Sequence, residues 1–174
     1  LCEQGRNFGN KIWNAYRLIR GWEVSADIQQ SEHSKLAAEW FDNKLSQTIE
    51  TIDEHFSKFR LSDALMTLYK FFWDDFCAWY LEVIKPEYGK PIDKVTYDTT
   101  IVFFEKLLRL LHPIMPFITE ELWQNIEERK DGETIMLQPQ PKAAPYSVET
   151  IHAFEQGVGA IASVRNIRQS KGLS

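Results

Sequence analysis

The sequence predicts an all-α protein, an up-and-down bundle of five or six helices in a single domain. Apolar residues recur at intervals of three and four, the spacing of one helix face, over stretches of roughly 15 to 25 residues. Glycine and proline are sparse and fall mostly in clusters that separate these stretches. The chain has 174 residues, of which 44% are hydrophobic, and this is enough apolar material for one core.

The first two helices are predicted at residues 4–22 and 34–59, with a polar connection at 23–33 between them. In the first helix the residues expected to face the core are Phe8, Ile12, Ala15, Ile19 and Trp22. Ser34 is suited to cap the second helix. The inward face of the second helix is predicted to consist of Leu36, Trp40, Leu45, Ile49, Ile52, Phe56 and Phe59.

A third helix at residues 62–84 is apolar around nearly its whole circumference, and such a helix belongs at the centre of a bundle. Lys85-Pro86 ends it, and a loop follows at residues 87–93. The fourth helix should cover 94–111, and a fifth should begin at Pro116, since proline fits the first helical turn.

Residues 130–146 lose the helical period, and Thr134 to Leu137 are expected to be extended. The last helix is predicted to begin near Ser147 and to reach or pass the final residue. Its expected inward residues are Ile151, Phe154, Val158, Ile161 and Val164. We therefore expect residues 1–174 to be one helical domain cut from a longer protein.

The usual catalytic and metal-binding patterns are missing from the sequence. Asp74 and Asp75 are adjacent, so on a helix their side chains point about 100° apart and form no acid/base pair. The four histidines are scattered, and His112 is interpreted as a helix-end residue. Cys77 is interpreted as a small buried residue rather than a nucleophile. We expect no catalysis, metal or cofactor in this chain.

The apolar runs are broken by charges before the roughly 20 residues of a membrane span, so no membrane contact is expected. Two cysteines, Cys2 and Cys77, form no disulfide framework, which fits a reducing, cytoplasmic setting.

The net charge of −5 hides an uneven distribution: residues 1–22 carry +3 and the other residues carry −8, and a second basic run, Arg165, Arg168 and Lys171, closes the chain. On the first helix Arg6, Asn10, Trp13, Arg17 and Arg20 lie opposite the core stripe, with Asn7 and Asn14 beside them. Guanidinium groups bind phosphate, amides bind base edges and an indole stacks on a base, a combination that suits single-stranded RNA. The same pattern also fits a helix covered on both sides, with Trp13 packed against another helix.

Three blocks of sequence resemble the anticodon-binding domain of class I aminoacyl-tRNA synthetases, in the form typical of the valyl-tRNA synthetases. They are Gly5-Arg6-Asn7-Phe8-Gly9-Asn10-Lys11-Ile12-Trp13-Asn14-Ala15-Tyr16-Arg17, Phe72-Trp73-Asp74-Asp75-Phe76-Cys77-Ala78-Trp79-Tyr80-Leu81-Glu82 and Leu111-His112-Pro113-Ile114-Met115-Pro116-Phe117-Ile118-Thr119-Glu120-Glu121-Leu122-Trp123. The Leu-His-Pro block is shared with leucyl and isoleucyl relatives, whereas the other two favour valine. The final segment Val164-Arg165-Asn166-Ile167-Arg168 resembles the family's following helix. The catalytic signatures His-Ile-Gly-His and Lys-Met-Ser-Lys-Ser are absent.

The resemblance implies a helix bundle that grips the anticodon stem and loop of a valine-accepting tRNA. It also implies that ATP and valine are bound by a catalytic domain of the same parent chain. Together with the helical wheel it assigns backbone phosphates to Arg6, Lys11, Arg17 and Arg20, base edges to Asn7, Asn10 and Asn14, and stacking to Trp13. Phe72 and Trp73 are secondary candidates whose ordinary role is core packing.

Other functions remain open at this point. The exposed stripe would also suit a helical scaffold that docks another protein or domain. The first helix would alternatively pack on the catalytic domain and leave this chain with little RNA affinity. The domain would also fit an isoleucyl or leucyl synthetase.

Overall fold

The structure, a computed structural model, describes residues 2–172, and helices make up nearly all of their regular secondary structure. The α-helices are α1 (Cys2–Arg20), α2 (Glu32–Ser57), α3 (Leu61–Lys70), α4 (Leu81–Ile84), α5 (Lys94–Leu111), α6 (Pro116–Ile126) and α7 (Val148–Ser170). A π-helix (Phe71–Tyr80) joins α3 to α4, and a 3-10 helix covers Ile135–Leu137. Two short strands, β1 (Val24–Ser25) and β2 (Ile92–Asp93), complete the list. The predicted all-α bundle is confirmed.

Side-chain caps fix where several helices begin. Asp93 accepts a hydrogen bond from the backbone N–H of Thr96 at 2.8 Å, so α5 begins at the predicted residue. α2 begins at Glu32 rather than at residue 34, because Ser31 is its cap and accepts from the N–H of Ser34 at 3.2 Å. The prediction that Ser34 caps this helix was wrong, since Ser34 lies inside the first turn.

The π-helix explains why the third predicted helix looks apolar all round. Its buried residues and the first of α4 are Phe71, Phe72, Phe76, Tyr80 and Leu81. Spacings of four and five residues fit the wider π turn of roughly 4.4 residues, and in that winding these side chains fall on one arc. The N–H of Leu81 donates to the carbonyl of Phe76, five residues back. In an α-helix the same residues would be scattered around the axis.

Aromatic rings from three helices fill the centre of the core. Phe41 of α2 is fully buried, and its ring centroid lies 5.0 Å from Phe71, 4.8 Å from Tyr80 and 5.0 Å from Phe103 of α5. α2 also packs against α3 and α7, and α5 packs against α6. The π-helix in the rod of α3, π-helix and α4 therefore lies at the centre of the bundle, as predicted, whereas α3 buries Ala64 and Leu68 and leaves Leu65 and Met66 exposed.

Several residues predicted to face the core are exposed instead. Leu36 lies at the start of α2, and Phe56 and Phe59 at its end, where the chain turns into α3; Phe59 is 90% exposed and has a φ of 56°. In α7 Ile151 is buried and Phe154 stacks on Trp40 with centroids 4.2 Å apart. Further along α7 the predicted core residues Ile161 and Val164 are exposed, because the second half of the helix is covered on one side at most. α7 ends at Ser170, short of the predicted end; residues 173 and 174, on which the rest of that prediction falls, lie outside the described residues.

The segment Thr134 to Leu137 is a 3-10 turn and not the predicted extended segment. The Thr134 hydroxyl accepts from the N–H of Met136 at 3.2 Å, which tightens the chain into a turn. Glu120 on α6 also accepts from the Thr134 hydroxyl at 2.6 Å and from the N–H of Ile135 at 3.1 Å. These bonds leave no free edge for strand pairing.

The two strands pair in parallel, with Val24 opposite Ile92 and Ser25 opposite Asp93. Sequence analysis treated both as loop. Two residues each are too few to show an alternating pattern, and a parallel pair brings together segments far apart in sequence. Among the helices of residues 2–172, none combines the length and the apolar character that crossing a bilayer would require.

Candidate RNA-binding surface

Helix α1 lies against the bundle along one face, which fixes the direction of the other. Phe8, Ile12, Ala15 and Ile19 are buried, as predicted, and Trp22 is half-buried. The Phe8 ring centroid lies 4.8 Å from that of Tyr69 in α3. The Tyr16 hydroxyl donates to the backbone carbonyl of Asn125 in α6 at 3.0 Å. Together with the buried stripe, these contacts with two different helices fix which face of α1 points outward.

The eight residues predicted to contact RNA lie on or beside the outer face of α1. Six are exposed: Arg6, Asn7, Asn10, Asn14, Arg17 and Arg20. Trp13 is 39% exposed and Lys11 is half-buried. The structure thus places these side chains on one helix surface, and whether each contacts RNA stays a prediction.

Three of the four cations on this surface interact with neighbouring side chains. Arg6 lies 3.7 Å from Glu3, both well exposed. The Lys11 ammonium lies 5.1 Å from the centroid of the Trp73 ring, a cation–π contact. A hydrogen bond with Tyr97 raises the pKa of Arg20, so this guanidinium keeps its charge.

The ring of Trp13 packs beside Tyr16, which is hydrogen-bonded to α6. Its ring centroid lies 6.0 Å from that of Tyr16, whose hydroxyl is anchored on α6. The indole therefore packs beside Tyr16 while part of its surface remains open. An aromatic plane that is fixed before binding loses little rotational freedom when a base stacks on it.

The secondary candidates Phe72 and Trp73 have different environments. Phe72 is fully buried and packs edge-on to Phe8 at 5.7 Å, so it serves the core. Trp73 is half-buried, stacks on Tyr69 at 5.5 Å and receives Lys11. Trp73 thus borders the α1 surface and packs against both the core and Lys11.

A second feature adjoins the end of α1, and sequence analysis did not identify it. Arg17 and Trp22 face Lys85, Tyr88 and Lys90 across a groove of about 590 Å³, which we call the Tyr88 groove. The sequence signal was an aromatic residue between Pro86 and Gly89 in a loop, a position where the core does not require one.

Residues singled out for other chemistry have structural environments. The His112 ring nitrogen Nδ1 lies 2.8 Å from the Thr119 hydroxyl, and His112 caps the C-terminus of α5, as predicted. Burial raises the pKa of the Cys77 thiol to about 12, so the reactive thiolate is disfavoured. The side chain of Cys2 lies outside the described residues. Within residues 2–172 no three histidine, cysteine, aspartate or glutamate side chains are grouped to hold a metal ion.

Comparison with known proteins identifies the family. Residues 38–174 match the family model described as the anticodon-binding domain of tRNA ligase. That match begins after α1, so the model itself does not cover the candidate surface.

Curated relatives match the chain through α1 as well. It is 54% identical to a valine–tRNA ligase of Parabacteroides distasonis over 99% of this chain and 20% of the relative. It is 47% identical to one of Christiangramia forsetii, over 100% of this chain and 20% of the relative. It is 39% identical to one of Fusobacterium nucleatum, over 100% of this chain and 21% of the relative.

The chain thus spans about a fifth of the length of these relatives. Their names favour valine over isoleucine or leucine, and the family model does not favour a general helical scaffold. This chain therefore belongs to the anticodon-binding domain family of tRNA ligases, in the form found in the valine–tRNA ligases.

Proposed function

We propose that this chain binds the anticodon stem and loop of a valine-accepting tRNA through the outer face of α1. In this proposal the parent protein is a cytoplasmic valine–tRNA ligase that uses ATP, and its catalytic domain lies elsewhere in the parent chain. The bundle then orients the tRNA so that its acceptor end reaches that domain.

The observation that carries the proposal is the composition of the outer face of α1. It presents Arg6, Arg17 and Arg20 together with three exposed asparagines. Trp13, which packs beside Tyr16, is partly exposed on the same face. This face lies within residues 1–22, which carry +3 while the other residues together carry −8; a second basic run, Arg165, Arg168 and Lys171, lies near the end of the chain. A phosphate backbone is attracted to such a face and repelled by the acidic parts of the chain.

Each residue type supplies a different part of recognition. The arginine forks fit phosphate oxygens and set the register of the RNA without reading its sequence. The amides of Asn7, Asn10 and Asn14 can donate to and accept from base edges, which distinguishes one base from another. Trp13 offers a plane for any unpaired base, and stacking of this kind contributes about 1–3 kcal/mol.

The test is a binding titration of the chain at physiological salt with two RNAs: a valine tRNA and the same tRNA with its middle anticodon base changed. Weaker binding of the changed RNA supports anticodon recognition by this domain. Equal binding of both would restrict the role of this chain to holding the RNA backbone. Absence of binding would contradict the proposal and favour contact between α1 and another protein surface.

A further inference from the structure

The Tyr88 groove lies where the basic face of α1 ends. Arg17, in the last turn of α1, belongs to both surfaces, so the groove continues the proposed RNA-binding face. The opposite wall is the loop between α4 and β2, with Lys85, Tyr88 and Lys90. The volume of about 590 Å³ lies within the range of roughly 300–1,000 Å³ found for small-ligand sites.

The loop that carries Tyr88 is held at its C-terminal end and closed by a turn at its tip. At the C-terminal end, the N–H of Ile92 donates to the carbonyl of Glu23 at 2.8 Å, and β2 pairs with β1. At the tip, the N–H of Lys90 donates to the carbonyl of Glu87 at 2.9 Å. Gly89 has a φ of 74° there, a conformation that glycine adopts without strain. Backbone hydrogen bonds therefore set the position of the loop beside the end of α1.

The core gives no reason for an aromatic residue at the tip. The Tyr88 side chain is fully exposed, at 107% of its reference area, so its ring buries nothing in this structure. An aromatic ring held in the open at the edge of a groove is a stacking surface.

The charges around the ring suit a phosphate. The lining includes the cations Arg17, Lys85 and Lys90 and the anions Glu23 and Glu87, which gives the groove a small positive excess in a protein of net charge −5. Lys85 lies 3.7 Å from Glu82 and Lys90 lies 2.5 Å from Glu87. Both pairs are about half exposed or more, and such pairs contribute little, so the lysines can turn toward a phosphate.

We infer that the Tyr88 groove holds one unpaired nucleotide of the RNA bound by α1, with its base stacked on Tyr88 and its phosphate near Arg17 and the two lysines. This inference rests on the proposed function. Trp13 lies on α1 one helical turn, about 6 Å, before Arg17 and is not part of the groove, so the inference assigns a different base to Trp13 and to Tyr88.

The test uses a valine tRNA in which 2-aminopurine replaces each anticodon-loop base in turn, with affinity and 2-aminopurine quenching measured for each RNA. Two variants separate the ring from the hydroxyl: Tyr88→Leu removes the aromatic plane, and Tyr88→Phe keeps it. Because Tyr88 is fully exposed, both variants should melt like the unchanged chain.

A matched control is Phe59→Leu. Phe59 is an equally exposed aromatic residue that precedes α3, whereas Tyr88 follows α4. The rod between them is roughly 35 Å long, so Phe59 is remote from the groove.

The inference requires that Tyr88→Leu bind about tenfold more weakly and lose quenching at one loop position, while Tyr88→Phe and Phe59→Leu keep both. If Tyr88→Leu binds normally while Arg17→Ala weakens binding, the groove assignment is wrong and the proposed function stands. An equal loss of affinity in Tyr88→Phe and Tyr88→Leu overturns the proposed stacking of a base on Tyr88. No binding by the unchanged chain overturns both proposals.

Discussion

Arg17 is the residue on which the proposed RNA contacts converge. It lies on the outer face of α1 and also lines the Tyr88 groove. Within residues 2–172, none of the ion pairs involves Arg17, whereas Arg6 has Glu3 as a partner and Arg20 has Tyr97. Arg17 therefore breaks fewer existing interactions than Arg6 or Arg20 when it binds a phosphate.

We expect Arg17→Ala to weaken binding of the valine tRNA and of the anticodon-altered tRNA by the same factor, about tenfold. A phosphate contact carries no base information, so both RNAs lose equally, and the slope of log affinity against log salt should fall by about one. The control is Lys142→Ala, an exposed cation in the loop before α7. An effect of Arg17→Ala on only one of the two RNAs would contradict a backbone role.

Asn14→Ala should instead reduce the difference in binding affinity between the valine tRNA and the anticodon-altered tRNA. Asn14 is exposed, and an amide that contacts a base edge contributes only when the correct base is present. We expect a loss of about fivefold to tenfold for the valine tRNA and little change for the altered one. If Asn14→Ala and Arg17→Ala affected both RNAs alike, the division between base and phosphate contacts would be wrong.

Asp75, on the π-helix, predicts a pH-dependent stability. Burial raises the pKa of its carboxyl from 3.8 to about 6, against the opposing effect of Lys44. Folding thus favours the protonated form. The stability this contributes is complete below about pH 4 and is lost as the pH rises through 6.

We expect Asp75→Asn to increase the free energy of unfolding by about 1–3 kcal/mol near pH 8 and to change it little near pH 4. Urea unfolding at the two pH values measures this. Asp74→Asn, on the exposed neighbour, is the control and should not reproduce the difference. An Asp75→Asn variant that is less stable at about pH 8 would contradict the prediction.

The sequence could show which residues of α1 point outward, but not which of them contact side chains of other elements. The helical period placed Arg17 and Asn14 outward correctly, because one buried stripe fixes the rest of the helix. It could not show that Lys11 is half-buried over Trp73, since that contact joins α1 to the π-helix. Tyr88 was missed for a related reason: its importance depends on α1 lying beside its loop.

Among whole elements, the starts of α5 and α6 were predicted best. α5 and α6 begin at the predicted residues because Asp93 and Pro116 are local signals. The π-helix was missed because an α period was assumed, and the strand pair because its partners are remote in sequence. The predicted inward face of α7 is buried only in the first half of the helix. Periodicity shows which residues share a face and not whether anything covers that face.

Glu120 is the contact that joins α6 to the 3-10 turn. Burial would raise the pKa of its carboxyl, but hydrogen bonds from Thr134, Gln124 and Ile135 outweigh this and lower it. Its stabilising effect is therefore present above the pKa that Glu120 has in the unfolded chain. It is lost as the pH falls through the lower folded value.

We expect Glu120→Ala to lower the free energy of unfolding by about 2 kcal/mol at neutral pH, because it leaves the Ile135 N–H without its acceptor. Thermal or urea unfolding measures the loss, which should shrink in acid. Glu121→Ala, an exposed neighbour, is the control. Equal losses for the two variants would show that the Glu120 contact contributes nothing specific.

At the scale of the whole molecule, the separation of charge governs how RNA approaches. The chain carries an excess of negative charge outside its two basic ends, so binding at the face of α1 depends on a small number of cations.

Affinity for the valine tRNA should accordingly fall steeply with salt. For three to four phosphate contacts, we expect roughly a 20- to 150-fold loss between 50 and 200 mM salt. Titrations across that range test it, with a neutral osmolyte as the control. A nearly flat salt dependence would indicate an apolar interface and would favour α1 as a surface for another protein.

The strand pair also has a consequence for folding kinetics. Residues 24 and 92 are paired in the native state, yet α2, α3, the π-helix and α4 lie between them in the chain. Contacts between such distant residues form slowly unless the intervening chain has already folded. The Tyr88 loop should therefore reach its place beside Trp22 only after the central helices have assembled, and a peptide containing α1 alone would lack this part of the surface.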